Sequence, residues 1–149
     1  MHPFLAQRRH LFLIAAAGLA SGTGLMVALH SVSISPWLDI AAFALPLSLI
    51  YAFMCLASWW VCRTNPLAGE RAGRSILVQF AAALQSSLVW VAMGAVWASV
   101  LQSTWGIGPR GAALARDLTV LFIAGIPLYA LSVMVHSLFL ALEASHDAE

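Results

Sequence analysis

Four long apolar runs are the feature of this chain that most restricts its fold. Each run can cross the hydrocarbon core of a bilayer, which takes about 20 apolar residues in a helix. No run shows sustained two-residue alternation of apolar and polar side chains, so helices rather than barrel strands must satisfy the backbone in lipid. The sequence therefore predicts an all-α polytopic membrane protein, with transmembrane helices at about residues 11–31, 38–62, 76–101 and 118–142.

The composition leaves room for little else. Of the 149 residues, 62% are hydrophobic and 9% are charged, and the mean hydropathy is +0.90. Soluble domains have about a quarter of their residues charged. The net charge of +1 gives no reason to expect nucleic-acid binding. The lipid bilayer is the first partner that we expect.

Arginine placement predicts the orientation, because cytoplasmic flanks retain positive charge. Five arginines fall on one side of the predicted membrane and two on the other: Arg8, Arg9, Arg63, Arg71 and Arg74 against Arg110 and Arg116. We expect both termini in the cytoplasm and the protein in a bacterial inner membrane. A cleaved export signal at the N-terminus is the competing interpretation, but an uncleaved first helix is simpler because three more spans follow.

Small residues and prolines within the spans predict how the helices pack and bend. Gly18 and Gly22 form a small-xxx-small step that lets two helix backbones approach closely in lipid. Packing inside the bundle is the favoured interpretation, and a dimer contact is the alternative. Pro46 and Pro127 each remove a backbone hydrogen bond and favour a kink. These kinks either act as hinges or only shape the bundle.

The sequence does not predict a cofactor or a metal. Cys55 and Cys62 are seven residues apart on one helix, about 10 Å along its axis, which is too far for a disulfide with each other. His30 lies at the outer end of the first span and His136 near the inner end of the fourth. They are roughly 20 Å apart along the membrane normal at 1.5 Å per residue, so one ion or haem cannot bridge them within a protomer. The spans also lack an acid or base near the midplane, which disfavours an ion-coupled transporter.

Charged residues on the predicted outer side form a candidate ligand site. Asp39 lies in the first turn of the second span, and Arg110 and Arg116 border the longer outer connection. Such groups can pair with one another or bind a small charged ligand. Helix capping and interfacial anchoring are the plainer alternative, because a carboxylate in a first turn complements the helix dipole.

The last ten residues, LALEASHDAE, become charged while they keep helix-forming residues. No Gly, Asn or Pro ends the helix there, as such residues usually do. We therefore expect the fourth helix to continue into the cytoplasm. In this interpretation residues 1–142 form the four-helix membrane domain, and residues 143–149 begin a signalling helix whose output positions are Leu142, Glu143 and Ser145.

The run LPLSLIYAFMCLASWWVCRTNP at residues 45–66, together with LFLALEASHDAE at residues 138–149, resembles the membrane region of sensor histidine kinases of the LytS/AlgZ type. In that family a four-helix region continues as a signalling helix to a phospho-accepting histidine in a PHFLFN motif and then to an ATP-binding domain. Neither the PHFLFN motif nor an ATP-binding motif occurs in this chain. The resemblance therefore implies that the catalytic residues of such a kinase lie outside this sequence. The resemblance implies a homodimer that passes an envelope or ligand signal to a cytoplasmic kinase core and a LytTR-type response regulator.

Two other classes of protein remain open. The first is a small membrane protein that serves as a structural or accessory subunit of a larger assembly, with the acidic tail as a solvated end. The second is a small-molecule permease, which the missing midplane charges weaken. The outer connections are too short for a sensor domain outside the membrane, so the expected stimulus is a small ligand, a lipid or envelope state, or another membrane protein.

Overall fold

The computed structural model describes residues 8–33, 35–64 and 72–146. These residues form five helices and no strands: α1 (Arg8–Val32), α2 (Trp37–Cys55), α3 (Ser58–Thr64), α4 (Ala72–Trp105) and α5 (Gly111–His146). Four apolar segments are long enough to cross a membrane, at Phe12–Val32, Trp37–Cys62, Gly73–Trp105 and Gly111–Leu142. The predicted fold class, an all-α polytopic membrane protein with four spans, is confirmed.

The helices run up and down, so the bundle has two distinct ends. One end, here called the loop face, contains the connections at residues 33–36 and 106–110. The other end, here called the terminal face, is where α1 begins, α3 leads towards α4, and α5 ends. α1 packs mainly against α2, and α4 mainly against α5, while α2 also contacts α4 and α3 contacts α5. The start of α1 at Arg8 and the end of α5 at His146 therefore lie at the same end of the bundle.

Gly18 and Gly22 lie where α1 meets α2. A Cβ added to Gly18 would lie 3.1 Å from Ala52 Cβ, and one added to Gly22 would lie 3.0 Å from Leu45 Cδ2. Contacts this short are tighter than ordinary van der Waals packing, so an added Cβ at either position would require the neighbouring atoms of α2 to shift by a few tenths of an ångström. In the structure these two glycines pack two helices of the same chain together.

An aromatic stack holds α2 and α4 together in the middle of the bundle. The ring centroids of Tyr51 and Trp90 are 4.1 Å apart and their planes meet at 22°. Trp90 Nε1–H donates to the Leu47 carbonyl at 2.9 Å, and the Tyr51 hydroxyl donates to the Gly125 carbonyl of α5 at 2.7 Å. Because unpaired polar groups are costly in an apolar interior, these bonds also set how α2, α4 and α5 are rotated against one another.

α2 and α5 each continue through their proline. Pro46 has no N–H to give to the carbonyl of Ala42, four residues earlier in the helix. The structure supplies another donor, because Trp97 Nε1–H of α4 bonds the Ala42 carbonyl at 2.9 Å. The freed backbone group at Pro46 is thus used to join α2 to α4. Hinge motion at Pro46 or Pro127 stays a prediction.

The second apolar run folds as two helices, with a turn at Leu56 and Ala57 between α2 and α3. Here the backbone bonds span three residues rather than four: Leu56 N–H donates to Phe53, Ala57 to Met54, and Trp59 to Leu56. The Cys55 carbonyl accepts a bond from the Ser132 hydroxyl of α5 at 3.0 Å. A side chain of another helix therefore satisfies the carbonyl at the end of α2. No Gly or Pro marks this turn, which is why the sequence does not reveal it.

Candidate functional site

Two of the three charged residues singled out in the sequence have backbone partners in the loop at residues 106–110. Asp39 Oδ2 accepts the Gly108 N–H at 3.1 Å, and the Arg110 guanidinium donates to the Gly106 carbonyl. Arg116 is exposed. Gly108 has a φ of +96°, a conformation that suits glycine, and Leu101 Cβ lies 3.3 Å from where its Cβ would be. Asp39 and Arg110 therefore hold the loop in place, and a charged ligand site at these residues stays a prediction.

Asp117 is a buried carboxyl that the sequence did not single out as buried. Its side chain is 2% exposed, and Oδ1 has no hydrogen-bond partner within the described residues. In the sequence Asp117 directly follows Arg116 at the border of the longer outer connection. The rotation of α5 turns Asp117 inward and Arg116 outward, because neighbouring residues on a helix point about 100° apart.

A cluster of polar side chains lies in the half of the bundle near the terminal face and joins α3 to α5. Its centre is His136, whose Nδ1 lies 3.0 Å from Ser58 Oγ and 2.8 Å from the Ser132 carbonyl. The hydroxyls of Ser58 and Ser132 are 3.0 Å apart, and the Trp59 ring meets the imidazole edge-on at 5.8 Å. Ser58 and His136 are both buried. We call these three residues, Ser58, Ser132 and His136, the serine–histidine cluster.

The hydrogen-bond geometry assigns the histidine tautomer. A carbonyl oxygen can only accept, so the 2.8 Å contact with the Ser132 carbonyl requires a proton on His136 Nδ1. Ser58 Oγ then accepts from the same N–H or lies beside it, and its own proton points to Ser132 Oγ. Since the Ser132 hydroxyl donates to the Cys55 carbonyl, the cluster forms a chain from α3 through α5 to the end of α2.

A layer of weaker polar contacts surrounds Cys62, near the cluster. The Gln79 amide nitrogen lies 3.5 Å from Cys62 Sγ, and the Tyr129 hydroxyl lies 3.4 Å from Gln79 Oε1. The Ser137 hydroxyl approaches the same sulfur at 3.9 Å. Cys62 and Cys55 are both free thiols. These contacts link α3, α4 and α5.

A cavity of about 400 Å³ adjoins the cluster, between α1 and α5, with α2 behind it. Its walls are almost entirely apolar. The polar side chains among them are Ser21, Tyr51, Cys55, Ser132 and His136, and the apolar ones include Leu13, Ala17, Leu128, Leu131 and Val135. Ligand pockets usually have volumes of about 300–1,000 Å³ and this same mixture of apolar walls and few polar groups.

The sequence did not assemble this site, although one signal for it was present. Ser132 and His136 are four residues apart and so share one face of a helix. The partners on α2 and α3 lie 77 and 78 residues away in the chain, at Cys55 and Ser58. The sequence suggested His136 only as a possible metal ligand, so its hydroxyl partners Ser58 and Ser132 were not predicted. Within the described residues, no group of three or more His, Cys, Asp or Glu side chains is placed to hold a metal ion.

The fold and the site define a class: a four-span helical membrane protein with a buried serine–histidine cluster beside a cavity between its first and last helices. Comparisons with models of protein families, with curated proteins and with solved structures find no significant match.

Proposed function

We propose that this chain is the membrane input and transmission domain of a two-component sensor histidine kinase. In this proposal the protein is a homodimer in a bacterial inner membrane with both termini in the cytoplasm. A stimulus received within the membrane passes through α5 to a cytoplasmic kinase core that lies outside this sequence, and then to a LytTR-type response regulator. The chain itself transfers no phosphate.

The observation that supports this proposal most is the extent of α5. Its 36 residues make a helix of roughly 54 Å at 1.5 Å per residue, against about 30 Å for the hydrocarbon core. The same helix contains Ser132 and His136 of the cluster and, further along, the proposed output residues Leu142, Glu143 and Ser145. Because a helix is stiff along its axis, a shift at the cluster is transmitted to the end of the helix.

A stripe of exposed apolar residues supports the homodimer. Leu131, Val135, Leu138 and Leu142 are all exposed, and their spacing of four, three and four residues is that of a helix–helix seam. Ser145 follows three residues after Leu142. We infer that Leu138, Leu142 and Ser145 meet their counterparts in a second copy, whereas Leu131 and Val135 border the cavity.

Cysteine cross-linking in membranes tests this proposal. In a background with Cys55→Ala and Cys62→Ala, Leu142→Cys and Ser145→Cys are expected to form disulfide-linked dimers under mild oxidation. Ala141→Cys is the matched control, because Ala141 is also exposed but lies about 100° around the helix from Leu142. Equal dimer yields at residues 141 and 142, or none at 142 and 145, would contradict the dimeric signalling helix.

The reading frame downstream in the source genome gives an independent test. A continuation that contains a PHFLFN motif followed by an ATP-binding domain supports the kinase. A stop codon directly after Glu149 contradicts it and favours the accessory subunit of a larger membrane assembly.

A further inference from the structure

Asp117 is a buried acid that neither the packing of the bundle nor the proposed function uses. Its side chain is 2% exposed, and Oδ1 has no hydrogen-bond partner within the described residues. It is also the only buried carboxyl among the side chains that the structure describes. A polar group buried without a partner costs free energy, and an ionisable residue inside a membrane span is by default a candidate functional site. The burial of Asp117 therefore needs a physical reason.

The contacts between α4 and α5 place Asp117 in an apolar part of the core. A Cβ added to Gly94 of α4 would lie 3.0 Å from Leu121 Cδ2 and 3.1 Å from Leu118 Cδ2. The two helices run in opposite directions, so the turn of α5 that contains Asp117 is level with the turn of α4 that contains Ala98. Ala98 and Leu121 are completely buried. The turns on either side of the carboxyl are therefore apolar and closed to water.

The other charged and titratable side chains at this end of the bundle are engaged elsewhere or face outward. They are His30 on α1, Asp39 on α2, Arg110 in the loop and Arg116 on α5. Asp39 and Arg110 bond the backbone of the loop at residues 106–110, and His30 and Arg116 are exposed. α4 has no ionisable side chain between residues 76 and 105. None of these groups forms a hydrogen bond with Asp117 Oδ1.

We propose that Asp117 is a proton-binding site, and that its carboxyl is protonated while α5 packs on α4. In an apolar interior a carboxylate without a donor has nothing to replace its lost hydration, whereas a protonated carboxyl has no net charge. The proton comes from water at the loop face and binds one carboxylate oxygen. Its release returns the carboxylate and a hydrated proton, and no other bond forms or breaks.

The loop at residues 106–110 separates this site from water at the loop face. Asp117 lies six residues after the start of α5 at Gly111, about 9 Å along the helix axis. The bond between Asp39 and Gly108 holds the loop to α2. Exchange of the proton therefore needs the loop and the first turns of α5 to move away from α2 and α4. Binding of the proton favours the closed arrangement, and its release favours the open one.

This proposal goes beyond the proposed function and does not depend on it. Proton binding at Asp117 requires neither a second copy of the chain nor a kinase core. It is measured on the purified chain, so its failure leaves the sensor function standing, and a failed cross-link at residues 142 and 145 leaves the proton site standing.

Infrared spectroscopy tests whether the proton is bound. The chain is purified in dodecyl maltoside, a detergent without carbonyl groups, because a protonated carboxyl and a carboxylate absorb at different frequencies. At neutral pH we expect a protonated-carboxyl band that is missing in Asp117→Asn and in Asp117→Leu. The leucine variant covers the case in which the amide does not fold. Asp39→Asn is the matched control and should retain the band, since its amide oxygen can still accept the Gly108 N–H.

Two results of this measurement overturn the site. The first is a parent protein without the band, or a band that persists in both Asp117 variants. The second is a band that disappears when sodium or potassium chloride is added at constant pH, which would identify a metal cation as the ligand of Asp117.

Unfolding in the same detergent tests whether the proton is coupled to packing. At neutral pH the packed state holds a proton that the unfolded chain releases, so the stability of the parent protein falls as the pH rises. We expect the unfolding constant of the parent to increase more steeply than that of Asp117→Asn or Asp117→Leu, by up to about tenfold per pH unit, the limit for one linked proton. The same pH dependence in the parent and in both variants would overturn the coupling between the proton and the packing of α5 on α4.

Discussion

At the scale of single residues, backbone carbonyls that lose their helical partner accept hydrogen bonds from side chains of neighbouring helices. The Ala42 carbonyl, freed by Pro46, accepts from Trp97, and the Cys55 carbonyl at the end of α2 accepts from Ser132. An apolar surrounding offers no water to such groups, so each one needs a protein donor. Local irregularities of α2 are thereby converted into contacts between helices.

A double-mutant cycle at Pro46 and Trp97 tests this explanation. Trp97→Phe removes the indole N–H but keeps an aromatic ring, and we expect it to destabilise the protein by about 1 kcal/mol, the usual net value of one hydrogen bond. In Pro46→Ala the new backbone N–H can bond Ala42 instead. The cost of Trp97→Phe is therefore expected to be smaller in the Pro46→Ala background, as measured by unfolding in detergent. Equal costs in both backgrounds would show that the indole contributes only by packing.

At the scale of helices, close approach depends on positions that have no side chain. A Cβ on Gly125 of α5 would lie 2.5 Å from Ser87 Oγ and 3.2 Å from the Tyr51 hydroxyl. The same glycine provides the carbonyl that Tyr51 bonds at 2.7 Å. Gly125 thus determines both the spacing of α4 and α5 and the alignment of α2 with α5.

Gly125→Ala is expected to destabilise the bundle by about 1–3 kcal/mol, because the methyl group forces α5 away from Ser87 and Tyr51. Gly24→Ala is the matched control. It lies in α1 with no atom within 4 Å of its added Cβ, and it should be neutral or slightly stabilising. The measurement is the shift in thermal unfolding in detergent.

A second substitution separates crowding at Gly125 from other effects. Ser87→Ala removes the oxygen nearest to the added methyl group and should recover part of the stability lost in Gly125→Ala. If Ser87→Ala and Gly125→Ala were simply additive, the crowding explanation would be wrong.

At the scale of the whole molecule, α5 connects every region with a proposed role. It contacts α4 most, and it also packs on α3 and touches α1 beside the cavity. The few contacts between α1 and α5 leave the cavity between them, with Leu131 and Val135 of α5 in its wall. In the proposed function, a change between the first and last helices reaches the C-terminal end of α5 through this helix.

The sequence by itself determined the class of protein and the approximate location of each span. Hydropathy is a sum over neighbouring residues, so a run such as residues 118–142 predicts a membrane helix without knowledge of its surroundings. The same local character explains why Gly18 and Gly22 were recognised as close-packing positions.

Only the tertiary structure decided which polar side chains meet. Ser58 and His136 are 78 residues apart, and their contact depends on how α3 and α5 are rotated about their axes. The break at Leu56 and Ala57, the inward position of Asp117 and the cavity beside Ala17 depend on the same rotations and on the distances between helices. An apolar sequence specifies helix rotations and interhelical distances only weakly, because lipid and a neighbouring helix are nearly equivalent surroundings for an apolar side chain. A few hydrogen bonds and close contacts determine these rotations and distances instead.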